Sequence, residues 1–250
     1  MNIPIYKFSI FDDFEDLIHG VSMRKGGVSK GVFESLNLGL DVGDEAANVE
    51  ENFKRFCGKL NVDIEKLCVA FQNHTDNVVK INEGVGLAHP FEQTDGFITN
   101  VPGIPLMVRF ADCQGVFFYD PVKKVIGAVH SGWRGNVKNI IGIAVEKMVT
   151  EYDCDPADIL AAVAPSLGPC CAEFTDPFSE LPEEMHKYIS GKHVDLWECA
   201  FDQLKDSGVL AKNIEMAREC TVCNKNKYFS FRGGNKKTGH MGGIISLSTS

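Results

Sequence analysis

A cysteine and a histidine stand at the two ends of one predicted hairpin, in the stretch ADCQGVFFYDPVKKVIGAVHSGWRG (residues 111–135). Cys113 precedes one strand and His130 closes the next, so strand pairing brings them together although 17 positions separate them. His74, in FQNHTDN, lies between two further predicted strands and can supply a third ligand. One thiolate and two imidazoles are the ligands of an open catalytic zinc site, whose fourth position holds water or substrate. We therefore predict a zinc site formed by these three residues, with zinc as Lewis acid and activator of water.

Spacing alone leaves other interpretations of the same residues open, because none of the close-spaced zinc signatures is present. Cys113 can be a small buried side chain and His130 a hydrogen-bonded core histidine. Alternatively, His130 can activate Cys113 as the nucleophile of a thiol hydrolase or deamidase. A hydrolase of this kind has no need of His74, whereas the zinc site requires it.

Arginines on glycine-flanked loops are candidate anion-binding groups. Arg134, in SGWRG, precedes a helix predicted to begin at Asn136, whose backbone N–H groups and positive dipole end favour a phosphate. The simpler interpretation is that Arg134 stacks on Trp133 and closes the hairpin. Arg24 in SMRKGG and Arg232 in YFSFRGG have similar surroundings, although arginines on such loops are usually solvated. An anion site next to the metal requires these side chains to converge in space.

The sequence contains two further pairs of cysteines that suggest metal or redox chemistry, Cys170-Cys171 in GPCC and Cys220 with Cys223 in CTVC. They can be interpreted as a redox pair or as a second zinc site. A single C-x-x-C motif is a weak signal, and two adjacent cysteines do not easily share one tetrahedral centre. We therefore expect structural or incidental roles for these four residues.

The composition limits the classes of partner. The chain has 250 residues, 44% of them hydrophobic, and we expect one domain over residues 1–250. A formal charge of −9 argues against nucleic acids and anionic membranes as partners, since both require a basic surface. No signal-peptide pattern or apolar run of membrane-spanning length is present. Nine scattered cysteines are typical of reduced thiols, so we expect a soluble cytoplasmic protein that binds small molecules. The oligomeric state is left open.

Hydrophobic periodicity predicts an α+β fold with layered mixed or antiparallel sheets flanked by helices. We predict helices at Asp44–Leu60, Asn136–Thr150, Phe178–Tyr188 and Asp195–Ser207. We predict strands at Ile3–Ser9, Leu67–Gln72, Asn77–Ile81, Phe97–Thr99, Ile104–Phe110, Gly115–Tyr119, Lys124–His130, Ile159–Val163, Phe229–Phe231 and Gly243–Leu247.

A series of motifs resembles one known family. In order along the chain they are RKGGVSKGVFESLNLG, QNHTDNV, TDGFITNVPGIPLMVRFADC, AVHSGWRGN, APSLGPCCAEF, CT and FSFRGGNKKTG. This series is similar to the YfiH/laccase-domain family of purine nucleoside phosphorylases, formerly called multicopper polyphenol oxidases. The resemblance runs from about Arg24 to the C-terminus, and the ADC and HSGWRG motifs are specific to the family.

The resemblance implies zinc bound by His74, Cys113 and His130. It also implies phosphorolysis of adenosine, inosine, guanosine and methylthioadenosine, with adenosine deamination as a second activity. The implied α+β fold is shared with a bacterial toxin deamidase that uses a Cys/His pair. We interpret Asp112 as a partner of the metal ligands or a proton acceptor, a carboxylate that merely ends a strand being the alternative. We interpret Asn37, in SLNLG, as a hydrogen-bonding residue of the pocket.

Two positions depart from the family pattern, and one family name conflicts with the sequence. Gly233 and His240 stand where the family commonly has arginine, which puts phosphate affinity or substrate range in doubt. A laccase needs a trinuclear copper cluster rich in paired histidines, whereas this chain has seven histidines and no His-x-His pair. We reject a laccase mechanism, although one copper ion is an alternative occupant of the three-ligand site. A non-catalytic metal or nucleoside binder is the remaining alternative.

Overall fold

Two β-sheets pack face to face and helices cover both outer faces, in a computed structural model that describes residues 3–87 and 91–249. The first sheet has the strand order β1-β2-β13-β6-β3 and the second has the order β12-β9-β7-β8-β5-β4. The strands are β1 (Ile5–Tyr6), β2 (Leu17–Ser22), β3 (Cys68–Val69), β4 (Val78–Lys80), β5 (Gly96–Thr99), β6 (Leu106–Phe110), β7 (Gln114–Asp120), β8 (Val125–Ser131), β9 (Leu160–Val163), β10 (Ile189–Ser190), β11 (His193–Val194), β12 (Ile214–Met216) and β13 (Met241–Leu247).

The helices fill the outer layers. They are α1 (Ala46–Leu60), α2 (Trp133–Val137), α3 (Ile140–Tyr152), α4 (Pro177–Glu180) and α5 (Leu196–Asp206). Helix α1 packs its buried face on the first sheet, and α3 and α5 pack on the second. The largest apolar cluster lies between the sheets, where side chains from β6 and β13 meet side chains from β5, β7 and β8. The predicted α+β class with layered mixed sheets is therefore confirmed.

The β7–β8 hairpin predicted around the metal ligands is confirmed. The two strands pair antiparallel over their full lengths, with Gly115 opposite His130. Every residue of both strands is buried, because one face meets the first sheet and the other meets α3. Asp120 holds the connecting turn, because its Oδ1 accepts hydrogen bonds from the backbone N–H groups of Val122 and Lys123.

Several predicted boundaries are wrong. The helix predicted from Asn136 begins earlier, at Trp133, and is interrupted at Asn139, which takes a left-handed conformation and caps the next helix at the Gly142 N–H. The strand predicted at Ile3–Ser9 shortens to Ile5–Tyr6 before a 3-10 helix, and no strand forms at Phe229–Phe231, where irregular backbone leads into a turn that begins at Phe231. The predicted helix Phe178–Tyr188 is α4 followed by a 3-10 helix. Strands β2, β10, β11 and β12 were not predicted.

No helix within residues 3–87 and 91–249 combines the length and the apolar character that a membrane crossing demands.

Gly243 sets the distance between the two sheets. A Cβ atom at this position of β13 would lie 2.2 Å from Cζ of Phe117, a buried ring on β7. We predict that Gly243→Ala lowers the free energy of unfolding by about 1–3 kcal/mol, because a buried ring must leave its packed position. The control is Gly58→Ala, where a Cβ meets nothing within 4 Å and helix α1 gains up to about 1 kcal/mol. Urea unfolding measures both changes, and equal stabilities would contradict the prediction.

His19 makes stability depend on pH. Its Nε2 accepts a hydrogen bond from the Phe8 backbone N–H at 3.0 Å, and burial, with a contribution from Lys7, lowers its pKa to about 4. The unfolded chain, with a histidine pKa near 6.5, therefore binds this proton more tightly. We predict that the free energy of unfolding falls by about 1.4 kcal/mol per pH unit from this group as pH drops from 6.5 towards 4.

The His19→Gln variant should lack this contribution. In urea unfolding between pH 6 and pH 5, its free energy of unfolding should fall less steeply with decreasing pH than that of the unaltered protein, by about 1.4 kcal/mol per pH unit. The lowered pKa values of His74 and His240 add the same slope to both proteins and cancel in the comparison. Equal slopes in the two proteins would disprove a neutral, buried His19.

Candidate metal centre

Three loops bring the predicted ligands together. Cys113 directly precedes β7, His130 lies near the end of β8, and His74 lies in the loop between β3 and β4. The Sγ atom of Cys113 and one nitrogen of each histidine lie within 4.8 Å of one another. His130 is buried, while His74 and Cys113 are half-buried. The structure thus places together the three residues that the sequence predicts.

Asp95 orients two of the three ligands. Its Oδ1 lies 2.8 Å from Nδ1 of His130, which leaves the other ring nitrogen directed towards Cys113. The same carboxylate accepts backbone N–H bonds from His74 at 3.1 Å and from Thr75 at 2.7 Å. These bonds hold His74 in a left-handed backbone conformation, with φ of 56°. A carboxylate that orients a histidine ligand in this way raises its basicity and fixes its tautomer.

The donor atoms suit a metal ion. Nδ1 of His74 is buried and has no hydrogen-bond partner within the described residues. A buried nitrogen of this kind is costly unless it is satisfied, and a metal bond would satisfy it. Gly132 makes the close approach possible, because a Cβ there would lie 2.6 Å from His74 Nδ1 and 2.9 Å from Cys113 Sγ. One sulfur and two imidazole nitrogens are ligands that zinc and copper both accept.

Charge is concentrated at this centre. Burial lowers the pKa of His130, but the Cys113 thiolate and the Asp95 carboxylate outweigh it and raise that pKa to about 9. Burial raises the pKa of Asp95, yet its hydrogen bond with His130 prevails and brings the pKa to about 2. Burial, with the nearby charge of His130, lowers the pKa of His74 to about 4. His74 is therefore neutral at pH 7, the form in which an imidazole binds a metal.

The helix predicted to begin at Asn136 begins instead at Trp133, so the Asn136 N–H does not serve the predicted anion site, and an anion site at Arg134 stays a prediction. Asn136 is buried within α2, and its backbone N–H is already bonded to the Gly132 carbonyl at 2.9 Å. Arg134 is exposed and stacks over the Trp133 ring at 4.3 Å. It nevertheless remains close enough to lower the pKa of His74, as does Lys138. The start of α2, at Gly132, and the cationic side chains of Arg134 and Lys138 therefore both lie near the candidate metal ligands.

The other two predicted arginines are tied to backbone carbonyls. Arg24 donates to the Glu34 carbonyl at 2.9 Å and to the Lys225 carbonyl at 2.6 Å, and its guanidinium lies 4.8 Å from the Phe229 ring centroid. These bonds make Arg24 a clamp between two loops. Arg232 donates to the Glu173 carbonyl at 2.5 Å and is otherwise exposed. Contact of either side chain with substrate stays a prediction.

Asp112 joins several loops next to Cys113. Its Oδ1 accepts from the Thr221 hydroxyl at 2.6 Å and its Oδ2 accepts from the Arg232 backbone N–H at 2.7 Å. Its carbonyl accepts from the Leu167 N–H at 2.7 Å, and its φ of 94° is strained for a residue with a side chain. Both carboxylate oxygens are thus occupied, which favours a positioning role over proton transfer.

Asn37 and His240 contact each other, and His240 lies near enough to His130 to feel its charge. Asn37 is fully buried; its Oδ1 accepts from the His240 N–H at 2.9 Å and its Nδ2 donates to Asp44 Oδ2 at 2.9 Å. Burial, followed by the charges of Arg109 and His130, lowers the pKa of His240 to about 3. Asn37 therefore shapes the loop that supports His240, and its contact with a ligand stays a prediction. Gly233, the other departure from the family pattern, is exposed.

The two remaining cysteine pairs lie together in the structure, and their structural or incidental role stays a prediction. The Sγ atoms of Cys170, Cys171, Cys220 and Cys223 lie within 4.8 Å of one another. Adjacent cysteines do not easily share one centre, yet the thiols of Cys170 and Cys171 both belong to this group. Cys171 donates its N–H to the Gly168 carbonyl in a turn, and this turn directs both neighbouring thiols to the same place.

Three important residues were missed in the sequence. Asp95 stands in the TDG motif, but nothing local reveals that it reaches His130, 35 positions away. Gly132 was part of a quoted motif, and only the tertiary structure shows which atoms it admits. Arg109 is buried, donates to the Ala70 carbonyl at 2.7 Å, and keeps an unpaired Nε within the described part of the chain. The sequence did offer one sign of Arg109, since a charged residue within an apolar strand is unusual and is buried only with partners.

The chain is similar in sequence and in fold to known proteins. The chain is 32% identical over 248 residues to purine nucleoside phosphorylase YlmD of Bacillus subtilis, an alignment that covers 93% of this chain and 89% of YlmD. Its fold is similar to the crystal structure of the hypothetical protein YfiH of Bacillus licheniformis (TM-score 0.89, 30% identity, 95% of each chain). It is also similar to the crystal structure of YlmD from Geobacillus stearothermophilus (TM-score 0.87, 31% identity, 95% of this chain and 94% of that one).

A family model described as multi-copper polyphenol oxidoreductase laccase matches residues 18–248, which include all three metal ligands and all four clustered cysteines. The chain therefore belongs to the multi-copper polyphenol oxidoreductase laccase family, whose members include proteins named YlmD and YfiH.

Proposed function

We propose that this protein is a zinc-dependent purine nucleoside phosphorylase that acts on adenosine, inosine, guanosine and methylthioadenosine, with adenosine deamination as a second activity. The observation that carries the proposal is the convergence of His74, Cys113 and His130 within 4.8 Å. Relatives named purine nucleoside phosphorylase that align over about nine-tenths of the chain support the reaction class. The substrates are purine nucleosides and phosphate.

The ligand set supports zinc. Two imidazoles and one thiolate leave a fourth tetrahedral position for water or substrate. When bound, zinc supplies a Lewis acid and lowers the pKa of a coordinated water. Copper is an alternative occupant because its intrinsic affinity for such ligands is higher. A laccase mechanism is not supported despite the family name, since the chain has seven histidines and no His-x-His pair.

Cationic side chains around His74 support phosphate binding. Arg134 and Lys138 both lower the pKa of His74, and the Lys138 ammonium donates to the His74 carbonyl at 3.3 Å. In phosphorolysis a phosphate oxygen forms a bond to C1′ while the bond from C1′ to the purine nitrogen breaks, and the purine leaves with the electron pair. Arginine and lysine near the phosphate hold it under the sugar. To speed the reaction, their interactions must be stronger in the transition state than with the bound substrates.

Asp112 and Arg232 form the support on the Cys113 side. Because both oxygens of Asp112 are bonded, its role in this proposal is to hold the Arg232 backbone beside Cys113. Deamination adds water at C6 of adenosine and releases ammonia, so a proton must move from the water to the leaving nitrogen. Asp112 as the proton acceptor stays a prediction, and its occupied oxygens make it a weak candidate.

Two alternatives remain distinguishable. Cys113, His130 and Asp95 have the order of nucleophile, base and orienting carboxylate that a thiol hydrolase requires. That mechanism gives no role to His74, whose unpaired Nδ1 is directed into the same centre. A non-catalytic binder of metal or nucleoside would bind adenosine without product. We also propose a reducing cytoplasmic location, which nine free cysteines support.

The decisive assay is incubation of the purified protein with adenosine, with and without phosphate, followed by chromatographic separation of adenine, inosine and hypoxanthine. We expect adenine only with phosphate and inosine in either case. His74→Ala should reduce both products at least as much as the 10–100-fold typical of changes around metal ligands. Cys57→Ala, which removes a buried thiol of α1, should leave both unchanged.

A chelator-stripped sample should be inactive and should recover with Zn²⁺. Full activity in His74→Ala would favour the thiol hydrolase, and no product from fully zinc-loaded protein would favour the binder.

Asp95 should control zinc affinity. Asp95→Asn removes the charge that orients His130 and preserves the shape of the side chain, so we predict a 10–100-fold weaker affinity for Zn²⁺. Competition with a chromophoric chelator measures the affinity. Asp202→Asn, a change on the surface of α5, is the control and should have no effect. Equal affinities in the two variants would remove Asp95 from the metal centre.

A further inference from the structure

The four clustered cysteines have the geometry of a metal site. Sγ of Cys223 lies 3.7 Å from Sγ of Cys170 and 3.7 Å from Sγ of Cys171, and all four sulfurs, with that of Cys220, lie within 4.8 Å of one another. With zinc–sulfur bonds of ~2.3 Å, the edge of a ZnS₄ tetrahedron is ~3.8 Å. The two 3.7 Å separations match that edge, and the remaining sulfur pairs lie within 4.8 Å, so the four thiols can surround a single tetrahedral ion.

Other uses of the four thiols agree less well with these distances. A disulfide requires two sulfurs at ~2.05 Å, whereas 3.7 Å separates Cys223 from each of two candidates. In an iron–sulfur cluster the thiolates bind different iron atoms and are spread around the cluster. Four sulfurs within 4.8 Å of one another leave room for one ion at their centre.

The backbone around the cysteines is ordered in the way that a metal site requires. Cys220 and Cys223 form a C-x-x-C turn, in which the Asn224 N–H bonds the Cys220 carbonyl at 3.0 Å. Backbone hydrogen bonds from Cys223 and Gly168 reach the Cys220 sulfur. The opposite loop is held by the Cys171 N–H bond to the Gly168 carbonyl at 2.9 Å.

We propose that Cys170, Cys171, Cys220 and Cys223 bind one structural Zn²⁺ ion as four thiolates, at a site separate from the His74–Cys113–His130 centre. Four protein ligands leave no open position, which distinguishes a structural site from a catalytic one. The site does not depend on the proposed nucleoside chemistry.

This second ion would stabilise the loops behind the first centre. Thr221, between Cys220 and Cys223, donates its hydroxyl to Asp112, the neighbour of Cys113. Ser166, four residues before Cys170, pairs with Cys220 in an isolated β-bridge. Arg232 contacts both sides, through its N–H to Asp112 and its guanidinium to the Glu173 carbonyl. A zinc ion that joins residues 170–171 to residues 220–223 would therefore fix the support of Asp112 and Arg232.

The test is metal stoichiometry measured by mass spectrometry on protein purified with zinc under reducing conditions. We expect about two zinc ions per chain in the unaltered protein, about one in His74→Ala, about one in Cys223→Ser and none in the double variant. Cys57→Ala, which removes a thiol outside both groups, should retain about two. One ion in the unaltered protein that Cys223→Ser leaves in place would overturn the proposal.

Two further measurements keep the test valid if Cys223→Ser does not fold. In His74→Ala, Co²⁺ should give the intense thiolate-to-metal absorption of tetrahedral cobalt, and zinc-edge X-ray absorption should show four sulfur ligands at ~2.3 Å. Absence of both would overturn the site. Thiol titration of denatured, chelator-treated protein should count all nine cysteines. A count of seven, nine minus the two of one disulfide, would also overturn it.

Discussion

The buried carboxylate of Asp95 is the constraint on which the rest of the centre depends. It is fully buried, and a buried charge is tolerated only when its oxygens are satisfied. Here the partners are His130 and the backbone of the loop that contains His74, so the same group that needs partners determines the positions of two ligands. The backbone reinforces this arrangement, because the His130 N–H donates to the Asp95 carbonyl at 2.7 Å. One buried charge thus joins β5, β8 and the loop after β3.

The layered fold makes that arrangement rigid. Strands β7 and β8 are buried on both faces, between the first sheet and α3, so the ends that bear Cys113 and His130 have little freedom to move. The loops next to Cys113 are bonded to one another through Asp112, Thr221 and Arg232. Under our proposals, the group of three candidate ligands leaves a position open for substrate, whereas the group of four cysteines holds loops together. Under our proposals the second group stabilises the residues on which the first one relies.

Local sequence signals predicted the regular elements and failed where tertiary contacts decide. The β7–β8 hairpin was predicted because two apolar runs flank a clear Asp-Pro turn. The helix break at Asn139 was missed because apolar residues continue across it at helical spacing, while the break itself depends on a left-handed residue that caps α3. The residues at 229–231 have the composition of a strand, yet they form irregular backbone that leads into a turn. Asp112 holds that turn by accepting the Arg232 N–H, 120 positions away in the chain. The single-domain organisation stays a prediction.

The sequence by itself determined the α+β class and the family, and it identified His74, Cys113 and His130 as the three candidate ligands, because those depend on residue types, periodicity and motifs that are local in the chain. Only the tertiary structure decided which distant groups meet them. Asp95 reaches His130 because β5 and β8 pair, and the four outer cysteines converge because two turns from separated segments face each other. Such contacts are set by strand order and by loop closure over more than 30 residues, and neither leaves a signature in the residues nearby.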